Sequence, residues 1–174
     1  MFWRGVLLTS ALLLSGCVSD RVGTDYAAIS QKVGPPKSGQ SRIVVLQEKP
    51  TGLGLASCAC DMKLDGNPIG KVIVGTYVYA DRPAGRHQLL ATEVLFPGET
   101  RRDITMESGR TYFFLVRSSE RHDAVTGVTM IGGLAGAVVA SVATSGVDNT
   151  GPANLFPLDE PAARTTLAEL QLAE

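Results

Sequence analysis

The sequence predicts a mostly β protein: a small antiparallel β-sandwich or meander with a C-terminal amphipathic helix, preceded by a signal peptide and a flexible tether. Three observations predict it. Six short runs rich in β-branched and aromatic residues succeed one another between Arg42 and Arg117, the pattern of an all-β domain. Clusters of Gly and Pro separate them, and these residues adopt the turn conformations that others disfavour. Beyond Pro157 the apolar positions change to helical spacing. A chain of 174 residues has room for one modest domain with appendages.

The chain opens with one cation, Arg4, ahead of the apolar run from Val6 to Leu14, which gives way to Ser15-Gly16-Cys17. Such a run is too short for a permanent span and reads as a secretory signal. Leu14-Ser15-Gly16-Cys17 resembles the lipobox of bacterial lipoproteins. That resemblance implies cleavage before Cys17, acylation of its thiol and attachment to a membrane through several acyl chains, each contributing about 0.8 kcal/mol per buried CH₂. Val18-Ser19 lacks the Asp that resembles an inner-membrane retention signal. The implied location is therefore the bacterial cell envelope, at the outer membrane facing the periplasm.

From Val18 to Gln40 the chain is rich in Ser, Gly, Pro and Lys, with its clearest breaker cluster at Gly34-Pro35-Pro36-Lys37-Ser38-Gly39. This reads as a flexible tether. Tyr26 to Ile29 fits at most a short helical turn. The expected strands are Arg42 to Leu46, Ala59 to Leu64, Lys71 to Tyr79, His87 to Leu95, Arg101 to Met106 and Thr111 to Arg117. Asp65-Gly66 is the best hairpin turn, because it supplies the positive φ that tight hairpins need.

Tyr112 to Val116 carries large apolar side chains on both pleat faces. Leaving one face in water would cost about 25 cal/mol per Å², so something must cover it. The candidates are the uncharged stretch from Ala124 to Val147 and the chain's end. At that end, Asp159 and Pro161 fit a capped first turn, and Ala163, Leu167 and Leu170 fall at helical spacing. The expectation is a helix from about Glu160 to Leu172 lying on the sheet.

Lys63-Leu64-Asp65-Gly66-Asn67-Pro68-Ile69-Gly70, Gly75-Thr76-Tyr77, Arg82-Pro83-Ala84-Gly85-Arg86-His87-Gln88-Leu89 and Ser108-Gly109-Arg110-Thr111-Tyr112-Phe113 together resemble an uncharacterised family of bacterial lipoprotein domains. That family is similar in pattern to PEGA-type and carboxypeptidase-regulatory-like β-sandwiches. The resemblance covers about Ser41 to Val116 and the terminal helix. It implies a fold and transfers no catalytic residue.

Cys58 and Cys60 are the remaining cysteines, in a compartment that permits disulfides. Two positions apart on a strand, they share a face with Cα atoms near the limit for bridging. A redox or disulfide pair is one reading, and a soft-ion site such as Cu(I) another, although no further ligand beyond Met62 lies at suitable spacing. The favoured reading makes them small buried apolar groups continuing the face of Met62 and Leu64. His87 and His122 are the only imidazoles. The first reads as a strand-start residue and the second as part of a solvated loop, Ser118 to Asp123. No nucleophile context such as G-x-S-x-G accompanies either. Arg82, Arg86, Arg101, Arg102, Arg110, Arg117 and Arg121 read as a solvated rim balanced by Glu99, Asp103 and Glu107, with anionic lipid or peptidoglycan carboxylates as alternative partners.

Ala124 to Val147 is long enough for a membrane-spanning helix, and Gly132, Gly136 and Ala140 form a small-residue ridge suited to helix packing. Against a span stand its glycines and the lack of aromatic or basic anchors at its ends. The alternative is a segment folded over the sheet or a mobile loop.

The expected division is therefore 1–16 signal peptide, 17–40 lipidated Cys17 and tether, 41–122 β-sandwich, 123–150 Gly-rich apolar segment and 151–174 C-terminal helix. A net charge of -1 gives no positive field for nucleic acid. No catalytic constellation, metal set or nucleotide motif is apparent, so neither catalytic residues nor cofactors are expected. The expected function is a lipid-anchored, non-catalytic envelope protein, a binding or structural module with an envelope protein or peptidoglycan as partner. The alternative is a membrane-active protein that inserts and oligomerises through its Gly-rich segment.

Overall fold

A computed structural model describes residues 26–50, 57–127 and 149–173. The expected signal peptide, Cys17, and Gly132, Gly136 and Ala140 lie outside the described residues.

The strand β1 (Gln40–Gln47) is the axis of the fold. Its central residues are apolar in both phases of the pleat, and the structure buries both. Ile43 and Val45 enter one core, while Val44 and Leu46 enter another on the opposite face. A strand buried on both sides must be central to its sheet. β1 indeed pairs antiparallel with β4 (Thr76–Pro83) and parallel with β7 (Thr111–Ser118). The sheet is completed by β8 (Ala153–Leu158) on β7 and the two-residue β9 (Gln171–Leu172) on β4, giving the order β8-β7-β1-β4-β9.

The second sheet contains β2 (Cys60–Leu64), β3 (Asn67–Val72), β5 (Gly85–Thr92) and β6 (Thr100–Met106) in the order β3-β2-β5-β6, all antiparallel. The β2–β3 hairpin turns at Asp65 and Gly66, with φ of 53° and 77°. Two successive positive values are what a two-residue hairpin loop with the sheet's own twist requires.

The inner core lies between the sheets, where Phe114 and Val116 meet Met62, Leu64, Leu89 and Met106. On the other face of the five-stranded sheet, Phe113, Leu115 and Tyr77 are covered by α1 (Tyr26–Val33) and α3 (Glu160–Leu167). The molecule is thus helices over a mixed sheet over an antiparallel sheet.

The C-terminal helix predicted to cover β7 is present and is capped by the side chain of Asp159 on the N–H of Ala162 at 2.8 Å. It ends at Leu167, five residues short of the expected limit, because Leu170 folds into the core and residues 171–172 join the sheet edge. Four further expectations are corrected. Where a tether was expected, residues 26–33 form a helix whose Tyr26 packs edge-on against Tyr77 and Phe113. The run from Lys71 to Tyr79 is two strands on different sheets, divided at Gly75, whose φ is 77°. Residues 153–158, expected within the terminal helical region, are strand β8. His122 is buried on a helix, α2, formed by residues 120–127, rather than exposed on a loop.

Candidate functional site

Two regions concentrate polar chemistry. The first is the end of the sandwich where β2 begins and β5 stops. Cys60 starts β2 and turns inward with Met62 and Leu64, and Cys58 lies just before the ladder. The favoured reading placed both on the inner face, and both are buried there. The sulfurs are not free thiols, however: they form a disulfide with Cα atoms 5.3 Å apart.

The peptide between the cysteines is held from outside. Ala59 N–H donates to Glu93 Oε1 at 3.0 Å, immediately beyond β5. The other carboxylate oxygen, Glu93 Oε2, lies 2.9 Å from His122 Nε2. That contact is an ion-pair approach without hydrogen-bond alignment, and among the described residues neither Glu93 Oε2 nor, on the far side of the ring, His122 Nδ1 has a hydrogen-bond partner. Asp123 Oδ1 is 3.5 Å from His122 Nδ1, and the imidazole ring packs beside Phe96 at 5.3 Å. Buried polar groups ordinarily find partners, and those that do not invite a functional account.

Gln47 borders the same end. It is buried, its Nε2 donates to Ser57 Oγ at 2.6 Å, and its Oε1 is unpartnered among the described residues. A cleft of about 370 Å³ opens there, lined by Gln47, Ser57, Asp123 and Arg117 among others.

Ser119 adds a hydroxyl to the neighbourhood but does not act as a nucleophile toward His122. Its Oγ donates to Gly151 O at 2.7 Å and accepts the backbone N–H of His122 at 3.0 Å, capping α2. Arg121 donates to the carbonyls of Pro97 and Thr150 and stacks over Phe96 at 4.9 Å. It is therefore buried structure, unlike the solvated rim to which the sequence assigned it.

The second region is the place where two edge strands adjoin. β6 ends one sheet, β8 ends the other, and they lie on the same side of the sandwich. Arg102 Nη1 bridges them by donating to Leu155 O at 2.9 Å, while its guanidinium sits over the Phe114 ring. Beside this bridge is a cleft of about 590 Å³ lined by Arg101, Arg102, Asn154 and the half-exposed Phe156.

Three of the other predicted rim residues form surface ion pairs, two of them with the neighbours expected. Arg101 pairs with Glu99, Arg110 with Glu107 and Arg117 with Glu48. His87 closes the β2–β3 turn onto β5 through Asp65 and the carbonyl of Pro83. Among the described residues no group of three or more His, Cys, Asp or Glu side chains could hold a metal ion. The Glu93–His122 contact was not visible in the sequence, where 29 positions separate the partners; the only hint was the clustering of Glu93, Phe96, Pro97 and Gly98 after an apolar strand.

Residues 37–129 match a family described as a protein of unknown function (DUF2846). That match includes all the strands from β1 to β7, both cysteines, Glu93 and His122. No curated protein matches the chain.

Proposed function

The chain belongs to the DUF2846 family, and we propose that it is a lipid-anchored, non-catalytic protein of the bacterial envelope whose sandwich binds an extended partner segment along the β6 edge, beside β8. The observation that carries the binding role is the juxtaposition of β6 and β8, with Phe156 exposed beside the Arg101–Arg102 cleft. A strand edge can accept a further strand through main-chain hydrogen bonds, and pockets beside it select its side chains; on β8 the carbonyls of Ala153 and Leu155 are already bonded to Thr100 and Arg102, so β6 is the edge proposed to receive it.

The anchoring half of the proposal rests on Leu14-Ser15-Gly16-Cys17 and the apolar run before it. Nine peptide bonds separate Cys17 from Tyr26, the first residue of a helix docked on the sheet. Such a length reaches about 30 Å at most, so the lipid would hold the domain close to the bilayer and leave the edge cleft facing envelope partners.

The flanks of the Gly-rich segment favour this reading over membrane insertion. Ser119 N–H donates to Pro152 O at 3.0 Å, and Arg121 reaches Thr150 O, so the two flanks are tied together. A single crossing would set its ends about 30 Å apart.

Envelope fractionation tests the proposal. Wild type is expected with the membranes and Cys17→Ser in the soluble fraction. Phe156→Glu, with Cys17 intact, is expected to stay membrane-bound and to lose crosslinks formed through the cleft. Membrane retention of the Cys17→Ser protein would overturn the anchor, and unchanged crosslinking of Phe156→Glu would overturn the binding edge.

A further inference from the structure

We propose that Cys58 and Cys60 form a dithiol–disulfide exchange site that responds to an external dithiol, with Glu93 as its positioning residue and His122 as the partner of Glu93. The inference goes beyond the binding role and does not depend on lipid anchoring.

The geometry sets the two sulfurs apart from an ordinary core crosslink. Only one residue lies between them, so the bridge ties together no distant parts of the chain. Disulfides stabilise chiefly by closing long loops in the unfolded chain, and a ring this small contributes little in that way. Structural cross-linking therefore does not account for the pair.

The two cysteines are also held unequally. Cys60 belongs to β2 and its ladder, whereas residues 57–59 are in no helix or strand. Among the described residues this short segment is fixed by Gln47 on Ser57 and Glu93 on Ala59, both side-chain contacts. Ser57 is exposed and borders the 370 Å³ cleft, while Cys58 is only 1% exposed. Release of these two contacts would free the Cys58 side of the bridge without breaking a strand pair.

The polar groups beside the sulfurs hold them in place. Glu93 grips the peptide between the cysteines with one oxygen and faces His122 with the other. The groups facing His122 are Glu93 from the end of β5, Asp123 from its own helix and the ring of Phe96. The carboxylate holds the peptide between the sulfurs and the imidazole stands against the carboxylate, so the pair fixes where Cys58 sits relative to Cys60.

In the proposed step, a thiolate of the external dithiol attacks Cys58 Sγ. The Cys58–Cys60 bond breaks, its electron pair goes to Cys60, and the Cys60 thiolate takes up a proton. The second external thiol loses its proton and attacks the external sulfur of the mixed disulfide, releasing Cys58 as a thiolate that is protonated in turn. The external dithiol leaves as a disulfide, and two electrons and two protons have passed to Cys58 and Cys60.

The test uses the full lipidated chain in detergent, incubated with reduced and oxidised dithiothreitol in varying ratio, then alkylated and weighed. Both cysteines are expected to become alkylated together and reversibly while the near-ultraviolet circular dichroism of the fold is retained. Glu93→Gln preserves an acceptor for Ala59 N–H but removes the negative charge beside the sulfurs, and it is expected to slow exchange by about tenfold or more and to shift the ratio of reduced to oxidised dithiothreitol at which half the protein is reduced. Should that variant fail to fold, His122→Gln reads the same two quantities. The proposal is overturned if the thiols react only in denaturant, if air-oxidised protein already holds two free thiols, or if the folded variant matches wild type in both rate and half-reduction ratio.

Discussion

His87 Nδ1 lies 2.6 Å from Asp65 Oδ2, joining the tip of the β2–β3 hairpin to the start of β5. The other ring nitrogen, Nε2, lies 2.8 Å from the carbonyl of Pro83. Both nitrogens face acceptors, so the imidazolium, with two N–H donors, is the form that satisfies the site. Asp65 Oδ1 also accepts the backbone N–H of Gln88 at 2.9 Å, so one turn residue fastens two points of the neighbouring strand.

This arrangement predicts a defined pH window. Burial works against charge on His87, but the hydrogen bonds with Asp65 and Pro83 and the charge of Asp65 outweigh it and hold the group above its ordinary 6.5. Burial likewise opposes charge on Asp65, yet the bonds with His87 and Gln88 win and hold it below 3.8. A raised His stabilises fully below its unfolded value and loses that contribution as pH rises through its folded value; a lowered Asp contributes above its unfolded value and loses it as pH falls through the lowered one. The pair is therefore fully effective between the two ordinary values. With Asp65 partly exposed, urea unfolding of His87→Gln should show a deficit of only about 0.5 kcal/mol at about pH 5.5. The deficit should shrink above the folded value of His87, and a constant deficit across pH would contradict the ion pair.

A larger effect is expected at Arg42, which is 3% exposed and faces Asp81 across β1 and β4. Its Nε and Nη2 donate to the two carboxylate oxygens at 2.6 and 2.8 Å, and Nη1 donates to Gly34 O at the end of α1. Asp81→Ala leaves a buried guanidinium without its counter-charge, which should cost about 3 kcal/mol. Arg42→Lys should also destabilise, since an ammonium cannot reproduce the two-pronged contact and reach Gly34. Equal stability of wild type and Asp81→Ala in chemical denaturation would contradict this account.

Much of the fold was legible because its cause is local. The turn at Asp65-Gly66, the strand boundaries of β6 and β7 and the cap at Asp159 each follow from residues within a few positions of one another. The need for a second cover over Phe113 and Leu115 was legible too, because both pleat phases of β7 are apolar. What stayed hidden depends on distant partners. Tyr26 looks like part of a polar tether until Tyr77 and Phe113 receive it, and β8 carries a Pro157 that an edge position tolerates but that obscures a strand in sequence. The parallel pairing of β1 with β7 spans the whole domain. His122 sits in a polar stretch, and only Glu93 and Phe96, brought over by the β5–β6 loop, explain its burial.

The core beneath the C-terminal helix gives a third prediction. Leu167 is fully buried with Ala163 and Leu170 against the outer face of the central sheet. Leu167→Ala should cost about 2–5 kcal/mol through lost burial and the cavity it leaves. Asp159→Ala should cost about 1 kcal/mol by freeing the N–H of Ala162. The two substitutions lie on one short helix, so a double variant measured by thermal unfolding should depart from additivity if the helix detaches as a unit.

The last prediction contrasts two glycines. At Gly151 an added Cβ would fall closer than 3.0 Å to the backbone N and the hydroxyl of Thr100, whereas at Gly109, with φ of 79°, it would meet nothing within 4 Å. The first is a packing requirement and the second a conformational one. Gly109→Ala should therefore cost about 1 kcal/mol, the strain of a left-handed alanine. Gly151→Ala must push the chain off β6, and with it the hydroxyl bond from Thr100 to Ala153 and the Ser119 bond to Gly151 O. A loss of about 3 kcal/mol or more is expected, together with faster hydrogen exchange at Ser119 and Ala153. If the two alanine variants unfold at the same denaturant concentration, the close approach between residue 151 and β6 is not a feature of the protein in solution.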